Sequence, residues 1–234
     1  MEEKKLKIVA SIAVVFIFGI IYFKYANSAI ESFSLATASK TIVIDAGHGG
    51  FDPGKVGISG VLEKDINLQI ALKLRDYLEQ SGAYVIMTRT EDVDLDGDDN
   101  KKIKKADMIN RTKKANDNEA DILVSIHQNA FSQSNVKGGQ VFYHDSSEEG
   151  KRLANHIQKA IKDYADKDNN RLAKHNGDYY VLRATSSPSV IVECGFLTNR
   201  EEESKLMTDE YQEKIAWAVY IGIVEYFQET IDSQ

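Results

Sequence analysis

Two histidines and one glutamate stand where apolar runs of this 234-residue chain end, and a second glutamate opens a helix-like stretch between them. Polar side chains in that position are the first candidates for chemistry, because active sites of open α/β sheets gather at the carboxyl ends of strands. The run Thr41-Ile42-Val43-Ile44-Asp45-Ala46 leads into Gly47-His48-Gly49-Gly50, whose glycines let the backbone turn sharply and leave the imidazole uncrowded. The run Asp121 to Ile126 leads into His127-Gln128-Asn129. Glu63 opens an amphipathic stretch just after the glycine-rich loop and can reach the same end of a sheet. A catalytic zinc takes three such imidazole and carboxylate ligands and leaves a fourth position for water, so His48, Glu63 and His127 are candidate ligands. Val190-Ile191-Val192 runs into Glu193, a carboxylate that a buried strand does not carry without a partner, and Glu193 is the candidate general base. The three candidate ligands lie fifteen and sixty-four positions apart, unlike a short helical signature such as H-E-x-x-H. Residue types alone leave a plainer reading equally open: His48 caps a turn, His127 is a satisfied strand-end histidine, and Glu63 favours a helix macrodipole.

The elements that must position these residues alternate along the chain. From Lys40 onward, β-branched apolar runs alternate with amphipathic stretches, the signature of βαβ units and an α/β class with a largely parallel sheet. Strands are predicted over Thr41 to Ala46, Ala83 to Arg89, Asp121 to Ile126, Gln140 to His144, Tyr179 to Arg183 and Val190 to Cys194. A helix is predicted over Leu62 to Gln80, with Ile66, Ile70, Leu74 and Leu78 on one stripe and Ser81-Gly82 at its C-cap. Others are predicted over Ile103 to Asn116, Ser147 to Tyr164 and Asp209 to Phe227, the last with Ile215, Val219, Ile223 and Phe227 on one face. No internal repeat is found, so a solenoid or a repeated binding module is not expected.

Composition narrows the class further. A formal net charge of -7 and a pI near 5.3 argue against a nucleic-acid partner, which demands clustered Lys and Arg. The single cysteine, Cys194, forms no intrachain disulfide and reads as a small packed residue pointing away from Glu193 by strand alternation. Lys4, Lys5 and Lys7 precede an apolar run from Ile8 to Phe23, the order of a segment inserted by the export machinery. Residues 1–27 therefore read as a signal peptide or membrane anchor, 28–39 as a tether, and the remainder as exported. Asp92-Val93-Asp94-Leu95-Asp96-Gly97 matches the opening of an EF-hand loop, but the twelfth position is Ile103 where a bidentate glutamate is needed, so a solvated acidic loop is expected. His144, His156 and His175 lack a matching strand-end context and read as structural or exposed.

Five blocks, in order, carry a resemblance: Ile44-Asp45-Ala46-Gly47-His48-Gly49-Gly50 with Asp52 and Gly54, Glu63-Lys64-Asp65-Ile66-Asn67-Leu68, Met87-Thr88-Arg89, Ser125-Ile126-His127-Gln128-Asn129-Ala130, and Glu193-Cys194-Gly195-Phe196-Leu197-Thr198-Asn199. Together they resemble the zinc-dependent N-acetylmuramoyl-L-alanine amidases, a catalytic-domain family of bacterial cell-separation and sporulation enzymes. The resemblance implies one zinc on His48, Glu63 and His127, a catalytic Glu193, and a single domain over 40–230 with a mixed, roughly six-stranded sheet flanked by helices and preceded by an N-terminal hydrophobic helix. It implies peptidoglycan as substrate and hydrolysis of the amide joining N-acetylmuramic acid to L-alanine. Gln128 replaces the alanine common after the second histidine, and Lys55 occupies a usually small position. Arg183 reads equally as a substrate contact and as a surface arginine. The compact plan resembles amidases that prepare spore cortex for germination. This places the chain at the outer face of the cytoplasmic membrane or in the cell wall, including the forespore intermembrane space. Without a wall-binding repeat, an activating or localising protein partner is expected. Two further readings stay open: a peptidoglycan-binding scaffold with the amidase fold, and a zinc peptidase.

Overall fold

A computed structural model describes residues 2–95 and 104–232. Six strands form one mixed sheet: β1 (Thr41–Ala46), β2 (Tyr84–Met87), β3 (Ile122–Asn129), β4 (Gln140–Tyr143), β5 (Lys174–His175) and β6 (Ser189–Phe196), in the spatial order β2-β1-β3-β6-β4-β5. The four strands β2, β1, β3 and β6 are parallel neighbours, whereas β4 runs antiparallel to β6. The three central strands β1, β3 and β6 are buried over almost their whole length, which is why they read as continuous apolar runs rather than as alternating ones.

The period of two along a strand sorts these runs onto two different faces. Ile42, Ile44, Ile122, Val124, Val190, Val192 and Cys194 point into the main core, covered by α2 (Glu63–Gln80), α4 (Glu148–Ala160) and α7 (Asp209–Asp232). The α2 stripe Ile66, Ile70, Leu74 and Leu78 and the α7 stripe Ile215, Val219, Ile223 and Phe227 both face this core, as the helical period demands. Each of the fully buried Ile and Leu side chains contributes about 1.5–3 kcal/mol of transfer free energy. The opposite face is thinner. Val43 and Leu123 meet Ala115 of α3 (Lys104–Asp117) and Val181 of α5 (Tyr180–Ala184), and Ile191 meets Phe142 and Leu182.

Sequence and structure differ in four places. Tyr179 to Arg183, expected as a strand, is the short helix α5. Its apolar pair Val181-Leu182 is buried on consecutive helical positions, and an apolar run this short does not distinguish the two periods. The sixth strand is instead Lys174–His175, two exposed residues with no apolar pattern to mark them. Residues 28–39, expected as a tether, are helical to Thr37 at the end of α1 (Glu2–Thr37). Ala36 and Thr37 are buried there, and the Thr37 hydroxyl lies 2.7 Å from that of Ser81. The predicted helix over Ser147 to Tyr164 ends as α4 at Ala160 and continues as one π-helical stretch, Ile161–Ala165.

The predicted start of α3, Ile103, lies outside the described residues, as do Asp96 and Gly97 of the acidic loop. Within α1, Ile12, Val15, Phe16 and Phe18 are exposed apolar side chains. Among the described residues, no helix is long and apolar enough to cross a membrane.

Candidate metal centre

The site is built at the carboxyl edge of β1, β3 and β6, on the thin face. β1 ends at Ala46, and the chain stays on the sheet for one more residue because Gly47 N donates to Ile126 O at 3.1 Å. Glycine is required here: a Cβ on Gly47 would sit 2.3 Å from the His127 imidazole, in the space that ring occupies. The chain then turns through three positive φ angles, 63° at His48, 136° at Gly49 and 53° at Gly50. For a histidine this left-handed backbone costs about 1–3 kcal/mol and persists only where the surroundings enforce it. Arg111 Nη2 donates to His48 O at 2.6 Å, and both Asn67 and Arg89 donate to Gly47 O at 3.0 and 3.2 Å. Asp52 Oδ2 lies 3.0 Å from His48 Nδ1, which aims Nε2 inward, the arrangement in which a carboxylate orients a ligand imidazole.

Glu63 is the first residue of α2, but its side chain turns into the protein and is buried. Its Oε1 lies 3.0 Å from His127 Nδ1 and 3.2 Å from His48 Nε2, and accepts from Gln128 N at 3.0 Å; its Oε2 accepts from Lys55 N at 2.7 Å. Burial works to raise its pKa, yet the hydrogen bonds from His127 and His48 hold the carboxyl well below the usual carboxylate range. Gly54 makes this packing feasible, since a Cβ there would meet Glu63 Oε2 at 2.6 Å and His48 Cδ2 at 2.7 Å.

Two imidazole nitrogens and one carboxylate oxygen, all within 4.8 Å of one another, form the group among the described residues able to hold a metal ion. A tetrahedral ion with bonds of about 2.0–2.1 Å separates its ligands by roughly 3.3 Å. The 3.0 and 3.2 Å spacings from Glu63 Oε1 to the two nitrogens are close to that edge and all three atoms lie within 4.8 Å, so the donor set fits zinc in chemistry and two of its three edges match in length.

Glu193 is brought to the same place by register. β3 and β6 pair in parallel with His127 opposite Glu193, and the ladder shifts between His127 and Asn129, just past the site. The Glu193 carboxyl is buried, and its Oε2 has no hydrogen-bond partner among the described residues. Burial pushes its pKa up to about 7; the positive potential of His127 opposes that rise, while Glu63 adds to it. A carboxyl poised near neutrality suits proton transfer. In front of it opens a cavity of about 190 Å³, with His48, His127, Glu193, Arg111 and Tyr179 among its walls.

A buried ion pair braces the floor. Asp45 lies on β1 with Val43, pointing to the thin face, where Arg111 Nη1 donates to it at 2.7 Å, Ser125 Oγ at 2.5 Å and Thr88 Oγ1 at 2.9 Å. Burial works to raise the Asp45 pKa, but Arg111 and Ser125 hold it down at about 2. Arg111 also donates to Ala46 O at 2.8 Å, so one guanidinium ties the end of β1 to the His48 turn.

Sequence reasoning assigned no role to Asp52, Arg111 or Tyr179. A signal existed for the ion pair, because Asp45 sits inside an otherwise apolar strand and needed a cation from elsewhere in the chain. Asp92 also departs from expectation: it is not merely solvated but accepts from Lys64 Nζ at 2.6 Å and from Gly50 N at 2.8 Å, pinning the His48 turn. Arg183 is exposed on α5, donates to Gly177 O at 3.4 Å and stands outside the cavity walls, so the structure does not bring it to the site. Cys194 is fully buried in the main core, where burial pushes its thiol pKa up. His156 lies against Glu229, His175 against Asp145 and His144 against Ser146, all apart from the site.

Residues 42–225 match the family model described as N-acetylmuramoyl-L-alanine amidase. The chain is 37% identical to the germination-specific N-acetylmuramoyl-L-alanine amidase of Bacillus subtilis (strain 168), covering 98% of each chain. Among solved structures it is similar to the CwlD amidase from Clostridioides difficile, in complex with the GerS lipoprotein, with a TM-score of 0.77, 46% identity and coverage of 80% of this chain and 98% of that one. It is similar also to an N-acetylmuramoyl-L-alanine amidase from Clostridium difficile 630, with a TM-score of 0.72, 33% identity and coverage of 84% and 98%.

Proposed function

The chain belongs to the N-acetylmuramoyl-L-alanine amidase family, and on that premise we propose that it is a zinc-dependent hydrolase of the amide between the lactyl group of N-acetylmuramic acid and the L-alanine of the stem peptide. The observation that carries the reading is the convergence of His48, Glu63 and His127 beside the buried Glu193, whose Oε2 has no hydrogen-bond partner among the described residues, with His48, His127 and Glu193 lining one cavity.

His48, Glu63 and His127 would hold the zinc, which would supply Lewis acidity to the scissile carbonyl and to the attacking water. Asp52 fixes the His48 ring, and the backbone amides of Lys55 and Gln128 fix Glu63. Glu193 takes the proton of the attacking water and passes it to the departing alanine nitrogen. Its burial supports this role, because a desolvated carboxyl near neutrality is basic enough to accept a proton and acidic enough to return it.

The place of action is part of the proposal. The lysines ahead of the apolar N-terminal run and the similarity to a germination-specific amidase support export, with residues 1–27 as signal or anchor and 40–230 as catalytic domain. They support work on spore-cortex peptidoglycan from the outer face of the membrane, in the forespore intermembrane space. The CwlD amidase of C. difficile in complex with a lipoprotein supports a protein partner here as well.

The test incubates the full chain and zinc with defined peptidoglycan and weighs the released products by mass spectrometry. Intact sugar strands and intact stem peptides are expected from the wild type and not from Glu193→Gln. Free amino acids in their place would make the chain a zinc peptidase, and binding without release, even with extract of sporulating cells added, would make it a scaffold.

A further inference from the structure

One polar group on the cavity wall has no use in the mechanism above. Tyr179 immediately precedes α5, with its ring edge-to-face on Phe142 of β4 at 5.6 Å and 69°. The ring packs with Phe142, Leu182 and Ile191, and Ile191 stands two residues before Glu193 on β6, so it and Glu193 share a face. The Tyr179 side chain is thereby fixed by apolar contacts on the thin face and joins Glu193, His48 and His127 around the cavity. Its hydroxyl makes no hydrogen bond to any described residue. Burial, then the nearby Glu193 and Glu63 carboxylates, push its pKa up to about 12, so it stays protonated and able to donate.

A phenol held by its ring, with a free O–H in a cavity that also holds a base, is built to meet something that enters the cavity. We infer that the Tyr179 hydroxyl donates a hydrogen bond to the scissile carbonyl oxygen of the muramoyl-alanine amide, as a second stabiliser of the charge that develops there. The inference rests on the amidase reading above. The group donates only a hydrogen bond: it exchanges no proton and forms no covalent bond. Such a donor is worth more in the transition state than in the ground state, because the oxygen gains charge as water attacks.

The test compares wild type, Tyr179→Phe and Glu193→Gln as full-length zinc-loaded protein. Phenylalanine keeps the contact with Phe142, so the melting temperature and zinc content should match wild type. Loss of a single donor of this kind costs about a hundredfold in kcat, and KM should stay within about twofold. Affinity for a phosphinate isostere of N-acetylmuramoyl-L-alanine, measured by calorimetry, should fall by a similar factor, whereas Glu193→Gln should keep that affinity within about tenfold. An unchanged kcat and isostere affinity in Tyr179→Phe, or a loss confined to KM, overturns the inference while the amidase reading stands. A wild type that releases no stem peptide even when extract of sporulating cells is added overturns both.

Discussion

The two faces of the central sheet are made from the same three strands and serve opposite ends. On the α2, α4 and α7 side, Ile42, Ile44, Val124, Ile126, Val190 and Val192 meet apolar helix stripes, and all six side chains are fully buried. On the other side, one residue along each strand, lie Asp45, Ser125, His127 and Glu193. The first face removes apolar area from water and supplies stability. The second spends some of it: Glu193 carries a buried oxygen without a partner among the described residues, and His48 holds a left-handed backbone. An α/β sheet with one thick and one thin face can carry such strained, polar groups because the thick face over-determines the strand positions.

That contrast predicts that changes at the cavity groups of the thin face cost activity, whereas changes on the thick face, and in the ion pair beneath the cavity, cost stability. The largest effect is expected for Glu193→Gln. Kcat should fall about a thousandfold, roughly 4 kcal/mol of transition-state stabilisation, while the urea midpoint stays level or rises because a poorly solvated carboxyl has been replaced by a neutral amide. A fall in midpoint with kcat retained would erase the contrast. Next comes Leu74→Ala on α2, which should lose about 2–5 kcal/mol in urea unfolding and leave the kcat of folded protein within about twofold.

A smaller effect belongs to the ion pair that braces the site. The Asp45 pKa is depressed in the folded state to about 2 from an ordinary 3.8. Its contribution is therefore complete above about pH 4 and lost as pH falls towards 2, amounting to about 2 kcal/mol. Unfolding free energy measured between pH 5 and pH 2 should show this slope, and Asp45→Asn should remove it while lowering stability at pH 5, because the buried Arg111 then keeps only Asp107 as a carboxylate partner. The smallest effect is expected for Arg183→Ala, whose kcat and KM should both stay within about twofold. A larger change would place the substrate beyond the cavity walls, over α5.

Much of the thick face is legible from spacing alone. The stripes Ile66-Ile70-Leu74-Leu78 and Ile215-Val219-Ile223-Phe227 lie at helical period, and α2 and α7 form where those stripes are. The thin face is less legible, because its elements are short. α5 spans five residues and β5 two, too few for a period to declare itself, and they were expected as a strand and as nothing. The end of α1 was misread for another reason: Ala36 and Thr37 are small and carry no stripe, and their burial comes from Ser81 and α7.

For the site, local rules reach a definite limit. Chain order and side-chain types put His48, His127 and Glu193 at strand ends, glycines around His48 allowed its turn, and the five ordered blocks named the family; strand alternation turned Cys194 away from Glu193. All of these depend on near neighbours in the chain. Tertiary structure alone decided that β1, β3 and β6 are adjacent in that order, that His127 pairs with Glu193, and that three candidate ligand atoms from distant positions come within 4.8 Å. It also decided which cation answers Asp45, since Arg111 is sixty-six positions away and reaches it only once α3 packs across the thin face. Strand order, register and ion-pair choice are non-local, set by which packing buries the apolar area with every buried polar group but a few satisfied, and no window of sequence contains that sum.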